Sequence, residues 1–312
     1  MRTHSRRIAL ASALLLGAAS FARPQVPSPP RSGPESVPVS AAERSPTTRP
    51  RSVILMIADG LGPASVTMAR VCKGAPLALD SFLVGAIRTH ATDALVTDSA
   101  AAATALAAGV KTRNGAIGMG PDGEPVETAL ELAQRRGKAT GLVATSAITH
   151  ATPASFAAHV RSRTMEAKIA VQELEHGVEV LLGGGSEQFL PVLQGGRRLD
   201  GRDLLGEARE LGYRIVADRD ALLALDATPV LGLFHPEHMD FELDRPPEQP
   251  SLTEMTVKAI ELLSANPDGF FLMIEGSRID HAAHGKDAAG HLGDILEYDR
   301  AVAAALDRKS VV

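Results

Sequence analysis

From residue 51 onward the chain alternates short apolar runs with stretches of helical period. Residues 52–58, 142–145, 178–182, 213–217, 230–234 and 270–274 are apolar runs of strand length, the pattern of strands buried on both faces. Between them, residues 63–71, 99–108, 126–136, 164–176, 202–211, 252–263 and 293–307 carry helical patterns. This alternation predicts an α/β fold with a largely parallel central sheet and helices on both faces. No internal repeat or boundary interrupts residues 51–312, which read as one domain.

In such a sheet the chemistry gathers at the carboxyl ends of the strands. The run 52–58 leads directly into Asp59-Gly60, and the run 270–274 into Glu275-Gly276. The run 142–145 leads into Thr149-His150-Ala151-Thr152-Pro153. Pro153 reads as the start of a helix, with Arg163 about three turns further on. A guanidinium there is suited to gripping a phosphate by two hydrogen bonds. Ser99 follows Asp98 and precedes Ala100 to Ala103, which places a hydroxyl at a helix N-terminus. Unpaired N–H groups and the helix dipole favour an anion at that point. Finally, residues 275–284 hold Glu275, Asp280, His281 and His284. Asp280 and His284 share one face of a helical turn, and a carboxylate with an imidazole suits Zn²⁺. Plainer readings exist: a helix cap for Ser99 and the strand-end acids, a solvated loop for 275–284, a surface charge for Arg163.

Composition narrows the class. Aromatic residues are 3% of the chain and Trp is absent, so the core is expected from Ala, Leu, Val and Ile. A net charge of −5 without a basic stripe gives no sign of nucleic-acid binding. Cys72 is the only cysteine, which excludes an intrachain disulfide. Arg2, Arg6 and Arg7, the apolar run 8–19 and Ser20-Phe21-Ala22 form an export-signal pattern over residues 1–22. The run is too short for a comfortable membrane span. A periplasmic or extracellular protein without a stable membrane anchor is therefore expected. Residues 23–50, rich in Pro, Ser and Arg, read as a disordered linker.

Four segments in this order resemble the alkaline phosphatase family: Asp59-Gly60-Leu61-Gly62, Thr97-Asp98-Ser99-Ala100-Ala101, His150-Ala151-Thr152-Pro153 through Arg163, and Glu275 through His284. Gly183-Gly184-Gly185 with Phe189-Leu190-Pro191 resembles a further loop of the family. The resemblance covers about residues 51–308. It implies hydrolysis of small phosphate monoesters with two Zn²⁺ and one Mg²⁺, and a homodimer as a frequent assembly. It further implies Ser99 as the nucleophile that becomes phosphoserine, with Asp98 orienting Arg163 on the phosphate. Asp59 would bridge a zinc and the magnesium, and Thr152 and Glu275 would complete the magnesium ligands. Asp280 and His284 would bind the other zinc. His150 would lie beside the magnesium without touching it, where some members carry Asp. His281 would reach the phosphate through water.

The family continues beyond the helix of residues 293–307 into a strand, an Asp-His pair and a later His that complete the zinc ligands. Residues 308–312 resemble the start of that strand. His90, Asp93, His235, His238, Asp240 and His291 read as surface or core residues rather than substitutes. The expectation is a partial catalytic domain with a complete magnesium set, two incomplete zinc sites, a sheet incomplete on its C-terminal side and impaired activity. The alternatives are a non-catalytic secreted module that binds phosphate or metal, and a related phosphodiesterase or sulfatase. Asp98-Ser99-Ala100 together with Arg163 favours a monoesterase.

Overall fold

All six apolar runs form strands, and they join one sheet in the order β1-β6-β2-β3-β5-β4. The computed structural model describes residues 50–308. The expected export signal and, apart from Pro50, the expected linker lie outside the described residues, as do residues 309–312. The strands are β1 (Val53–Ala58), β2 (Ala139–Ala147), β3 (Val180–Gly184), β4 (Arg214–Val216), β5 (Val230–Leu233) and β6 (Phe270–Gly276). Every strand pairing in this sheet is parallel. The helices are α1 (Pro63–Lys73), α2 (Ser99–Ala108), α3 (Ala129–Gln134), α4 (Ala151–Ala157), α5 (Glu166–Glu175), α6 (Leu204–Glu210), α7 (Arg219–Leu223), α8 (Leu252–Leu263), α9 (Arg278–His284) and α10 (Ala288–Arg308).

Side chains alternate across each strand, so neighbouring residues enter opposite cores. Val143, Val180, Leu182, Leu272 and Ile274 pack with Met255 and Ala259 of α8 and Ile295 and Tyr298 of α10. Leu142, Leu181, Leu231, Phe271 and Met273 pack with Leu130 of α3, Phe156 of α4, Leu174 of α5 and Leu204 of α6. Helices therefore cover both faces. Each large side chain fully buried this way contributes about 1.5–3 kcal/mol of transfer free energy.

β2 is longer than its apolar run because its flanks are small or polar yet satisfied. Thr140 donates from its amide and hydroxyl to Glu179 Oε2, at 2.8 and 2.6 Å. α4 begins at Ala151, two residues before Pro153, and ends at Ala157, where Ala158 is extended with φ −144°. Pro153 is still in the first turn, where amides lack helical partners. Arg163 is thus not three turns along this helix; it sits in the turn that follows it. The short helix α7 was not apparent in the sequence pattern.

β1 is one edge of the sheet among the described residues. Val53 is exposed and the rest of β1 half-buried, whereas β2 and β6 are buried throughout. Residues 83–98 form no helix or strand. No helix among the described residues is long and apolar enough to cross a membrane.

Candidate active site

Parallel pairing brings the carboxyl ends of β1, β6 and β2 to one side. Ala58 is level with Gly276, and Ala144 with Glu275. The chain passes from β1 to β2 across the position that β6 fills, which opens a crevice at these strand ends. Asp59, Glu275 and the β2–α4 connection all line it. Gly60 has φ +74°, and a Cβ there would lie 2.7 Å from Asp280 Cα and 2.8 Å from Asp280 Oδ1. A glycine at this position is what lets the turn after β1 press against α9.

At the start of α2 the two readings of Ser99 separate onto two residues. Asp98 is the cap: its Oδ1 accepts from the Ala101 amide at 2.9 Å. Ser99 is the first helical residue, and its Oγ donates instead to Asp59 Oδ2 at 2.8 Å. The other Asp98 oxygen accepts from the Gly115 amide at 2.9 Å and from Arg163 Nη1 at 3.2 Å. The Arg163 amide donates to the Gly115 carbonyl at 2.7 Å, and Arg163 Nη2 donates to His150 Nε2 at 2.9 Å. Arg163, although absent from any helix, is therefore fixed at three points beside Ser99.

The carboxylates repel one another in a dry setting. Glu275 is fully buried; Oε2 accepts from the Ser277 hydroxyl at 2.5 Å, while Oε1 has no partner. Burial first, then Asp59, push its carboxyl up to about 8, against the pull of the Ser277 and Thr152 hydroxyls. Asp59 is also raised, by burial and by Asp280, and is held down by Ser99 and Arg163. Thr152 on α4 is buried. A buried, orphaned carboxylate oxygen among like charges fits a divalent cation, and an all-oxygen set suits Mg²⁺. On the rim, His284 Nε2 lies 3.4 Å from Asp280 Oδ2, with the His284 side chain 81% exposed. This pair offers one nitrogen and one oxygen donor on the solvent side, a mixed set that suits Zn²⁺.

His238 was read as a surface or core residue, and the structure corrects this. The His150, His238 and His281 rings cluster, with centroids 5.3, 5.3 and 4.5 Å apart. One nitrogen of each lies within 4.8 Å of the others, a spacing that suits a metal. The hydrogen bonds oppose that reading. His150 Nε2 faces Arg163 Nη2, His238 Nδ1 faces the Ala147 amide at 3.0 Å, and His281 Nδ1 faces Arg278 Nη1 at 2.9 Å. Each partner can only donate, so it takes the ring's one lone pair and leaves the other nitrogen as N–H. Burial in each case pushes the rings down to about 2, 4 and 3 respectively, with further lowering by Arg163 and His238 at His150, by Arg278 at His238, and by His238 and Arg278 at His281. The cluster is a set of neutral N–H donors beside Arg163. His238 arrives there because Gly184 lets the loop after β5 close: a Cβ at Gly184 would lie 2.2 Å from the Glu237 carbonyl.

The remaining candidates are satisfied elsewhere. His291 bonds the Ile279 carbonyl and the Ser65 hydroxyl, each at 2.8 Å. His235 Nδ1 accepts from the Glu237 amide, and Asp93 from the Asn114 amide. Asp240 accepts from Gln249, and His90 is exposed in the stretch without helix or strand.

The family model for alkaline phosphatase matches residues 50–311. The repressible alkaline phosphatase of Saccharomyces cerevisiae is 43% identical over 300 residues, covering 85% of this chain and 53% of that protein. The crystal structure of Thermus thermophilus alkaline phosphatase aligns with TM-score 0.77 and 39% identity, covering 83% of this chain and 57% of that one. A mutant alkaline phosphatase from the Antarctic bacterium TAB5, described with Mg bound in its M3 site, aligns with TM-score 0.74 and 32% identity over 84% of this chain and 75% of that one. The chain spans about half the length of the curated relatives it matches. By sequence and by fold, it belongs to the alkaline phosphatase family.

Proposed function

We propose that this chain takes part in metal-dependent hydrolysis of phosphate monoesters, with Ser99 as the nucleophile and a phosphoserine as intermediate. The observation that carries this reading is the division of labour at α2: Asp98 caps the helix and frees Ser99 Oγ to meet Asp59. Ser99 Oγ forms a bond to phosphorus as the ester P–O bond breaks, and the alcohol leaves with the proton. Water then cleaves the phosphoserine and releases phosphate. Asp59 Oδ2 holds the Ser99 proton and so aims the oxygen. Arg163 and the unpaired amides of α2 neutralise the non-bridging oxygens, and Asp98 and His150 hold the guanidinium ready beforehand.

Asp59, Thr152 and Glu275 would hold Mg²⁺, with Zn²⁺ at Asp59 with Ser99 and at Asp280 with His284. A mutant of the TAB5 relative is described with Mg bound in its M3 site, which supports a magnesium position in a protein of this family. When bound, such cations supply positive charge that acidifies the serine hydroxyl and stabilises the departing oxygen. Each zinc position has two protein ligands in this assignment, so weak zinc retention and slow turnover are expected of the chain by itself. Residues 1–22 are proposed to direct export, which N-terminal sequencing of the secreted form would check by finding Arg23 first.

The test is a quench of the purified chain with p-nitrophenyl phosphate, followed by mass spectrometry. Phosphate on Ser99, absent in Ser99→Ala, is the expected result. Turnover undiminished in Ser99→Ala would overturn the nucleophile assignment. Faster cleavage of a diester or a sulfate ester would move the chain to a related phosphodiesterase or sulfatase. Phosphate binding with neither turnover nor phosphoserine would leave a non-catalytic module.

A further inference from the structure

A second cluster of donor groups shares no residue with the Ser99 crevice. α3 contributes Glu131, the turn after α4 contributes His159, and the C-terminal cap of α5 is His176. Glu131 Oε1 lies 2.8 Å from His159 Nε2 and 3.9 Å from His176 Nδ1. One donor atom of each of the three residues lies within 4.8 Å of the others.

Proton placement distinguishes this cluster from the three rings near Ser99. His159 Nδ1 faces the Gly118 carbonyl at 2.7 Å, an acceptor only, so that nitrogen carries the hydrogen. In the neutral ring the lone pair is then on Nε2, aimed at Glu131. An imidazole N–H held by a backbone carbonyl is how metal-binding histidines are commonly oriented. Gly118, at φ +59°, makes this contact possible, since a Cβ there would lie 2.7 Å from His159 Nδ1. Glu131 Oε2 is committed to the Thr128 amide at 2.8 Å, which leaves Oε1 as the outward-facing oxygen. His176 Nδ1 is buried and has no hydrogen-bond partner. At 3.9 Å it is too far from Glu131 to bond directly.

Hydrogen bonds from α3 and α5 hold the supporting frame. Gln172 of α5 accepts from the His159 amide at 2.7 Å and donates to its carbonyl at 3.4 Å. Gln134 of α3 donates to the His176 carbonyl at 2.8 Å. The side chains of His159, Glu131 and His176 keep 15, 22 and 28% of their surface, so water has access to the cluster. Bonds of about 2.0–2.1 Å would set tetrahedral neighbours roughly 3.3 Å apart. The observed 2.8 and 3.9 Å fall on either side of that spacing.

We propose that Glu131 Oε1, His159 Nε2 and His176 Nδ1 form a Zn²⁺-type cation site, with water as the fourth ligand, separate from the Ser99 crevice. One carboxylate and two imidazoles match the donor preference of Zn²⁺ rather than Mg²⁺. A cation there would tie α3 and α5 to the segment that leads into Arg163.

The test is a count of bound cation in the full chain after chelation and reloading with Zn²⁺, with Co²⁺ as the spectroscopic stand-in. The count is repeated on His176→Ala and on Glu131→Gln, which keeps a helix-capping side chain at that position. Both variants are expected to bind one equivalent fewer than the parent chain. They should also lose the part of the cobalt visible spectrum and the zinc-induced rise in Tm that the parent shows. Equal stoichiometry in the parent and both variants would overturn the site and leave Glu131–His159 as an ion pair. The cations of the Ser99 crevice are common to all three proteins and cancel in the comparison.

Discussion

Replacing Glu275 by Gln should remove a pH-dependent instability from the cation-free chain. Glu275 is fully buried and its carboxyl is pushed from 4.5 up to about 8 by burial and by Asp59. The folded state therefore holds a proton that the unfolded chain has already lost between pH 4.5 and 8. With more protons bound in the folded state, stability falls as pH rises through that window, by about 1.4 kcal/mol per unit. The contribution is greatest below 4.5 and exhausted above 8, and the full swing is roughly 4–5 kcal/mol. The assay is urea denaturation in chelator at several pH values across the window, for the parent and for Glu275→Gln. Asp59 and Asp294 are shifted in the same direction, so the parent curve alone does not isolate Glu275; the difference between the two proteins does. The gap in stability should widen in favour of Glu275→Gln as pH rises. Added Mg²⁺ should offset about half of the parent's fall at high pH, because the cation binds the deprotonated form; at about 100 times its Kd it contributes about 2.7 kcal/mol. Parallel curves for the parent and Glu275→Gln in chelator would refute the account of Glu275 as a buried carboxyl waiting for a cation; the parent curve by itself also carries the lowered His150, His238 and His281, which act in the opposite direction.

Ser99→Ala should leave Tm nearly unchanged, whereas Asp98→Ala should cost about 1–2 kcal/mol in denaturant titrations through the lost helix cap, and also weaken phosphate binding through Arg163. Gly60→Ala should cost more than 1 kcal/mol or so, since it combines a left-handed φ with a clash against the Asp280 backbone; cobalt uptake at Asp280 and His284 should fall with it, and an unchanged Tm would count against the close approach. His238→Ala should raise the titration midpoints of both His150 and His281 in proton NMR, because His238 contributes to holding each down; unmoved midpoints would mean that the three rings are not coupled.

Much of the sheet and of the Ser99 crevice was legible in the sequence because both depend on short-range order. A buried parallel strand is a continuous apolar run, and an acid directly after it has nowhere to go but the strand end. The pattern put Asp59 directly after β1, Ser99 at the start of α2, and Asp280 and His284 on one helical turn; Glu275 lies inside β6 and Thr152 inside α4, one or two residues from where the pattern ended or began those elements. Arg163 was harder. Its approach depends on the break at Ala158 and on the Gly115 carbonyl, neither of which has a local signature. His238 was missed because its loop closes only where Gly184 lacks a side chain, a tertiary fact. Glu131, His159 and His176 come from three elements, and no spacing along the chain would group them.

The two histidine clusters show why distance between donor atoms is a poor guide to what they bind. In both, one donor atom of each residue lies within 4.8 Å of the others. Around His150, His238 and His281 every lone pair is already taken by an arginine or an amide. A cation at that position would need at least two of the rings to exchange proton and lone pair, setting Arg163 and Arg278 against N–H groups. An oxyanion needs no such rearrangement, since it accepts from N–H groups as they stand. Around Glu131 the order is inverted: a carbonyl takes the proton of His159, and its lone pair meets a carboxylate that cannot donate to it. Either a second proton or a metal must sit between them, and the proton leaves His176 Nδ1 without a partner. The metal satisfies all three groups at once. The same side chain thus presents hydrogen-bond donors in the cluster of His150, His238 and His281, and a lone pair in the cluster around Glu131.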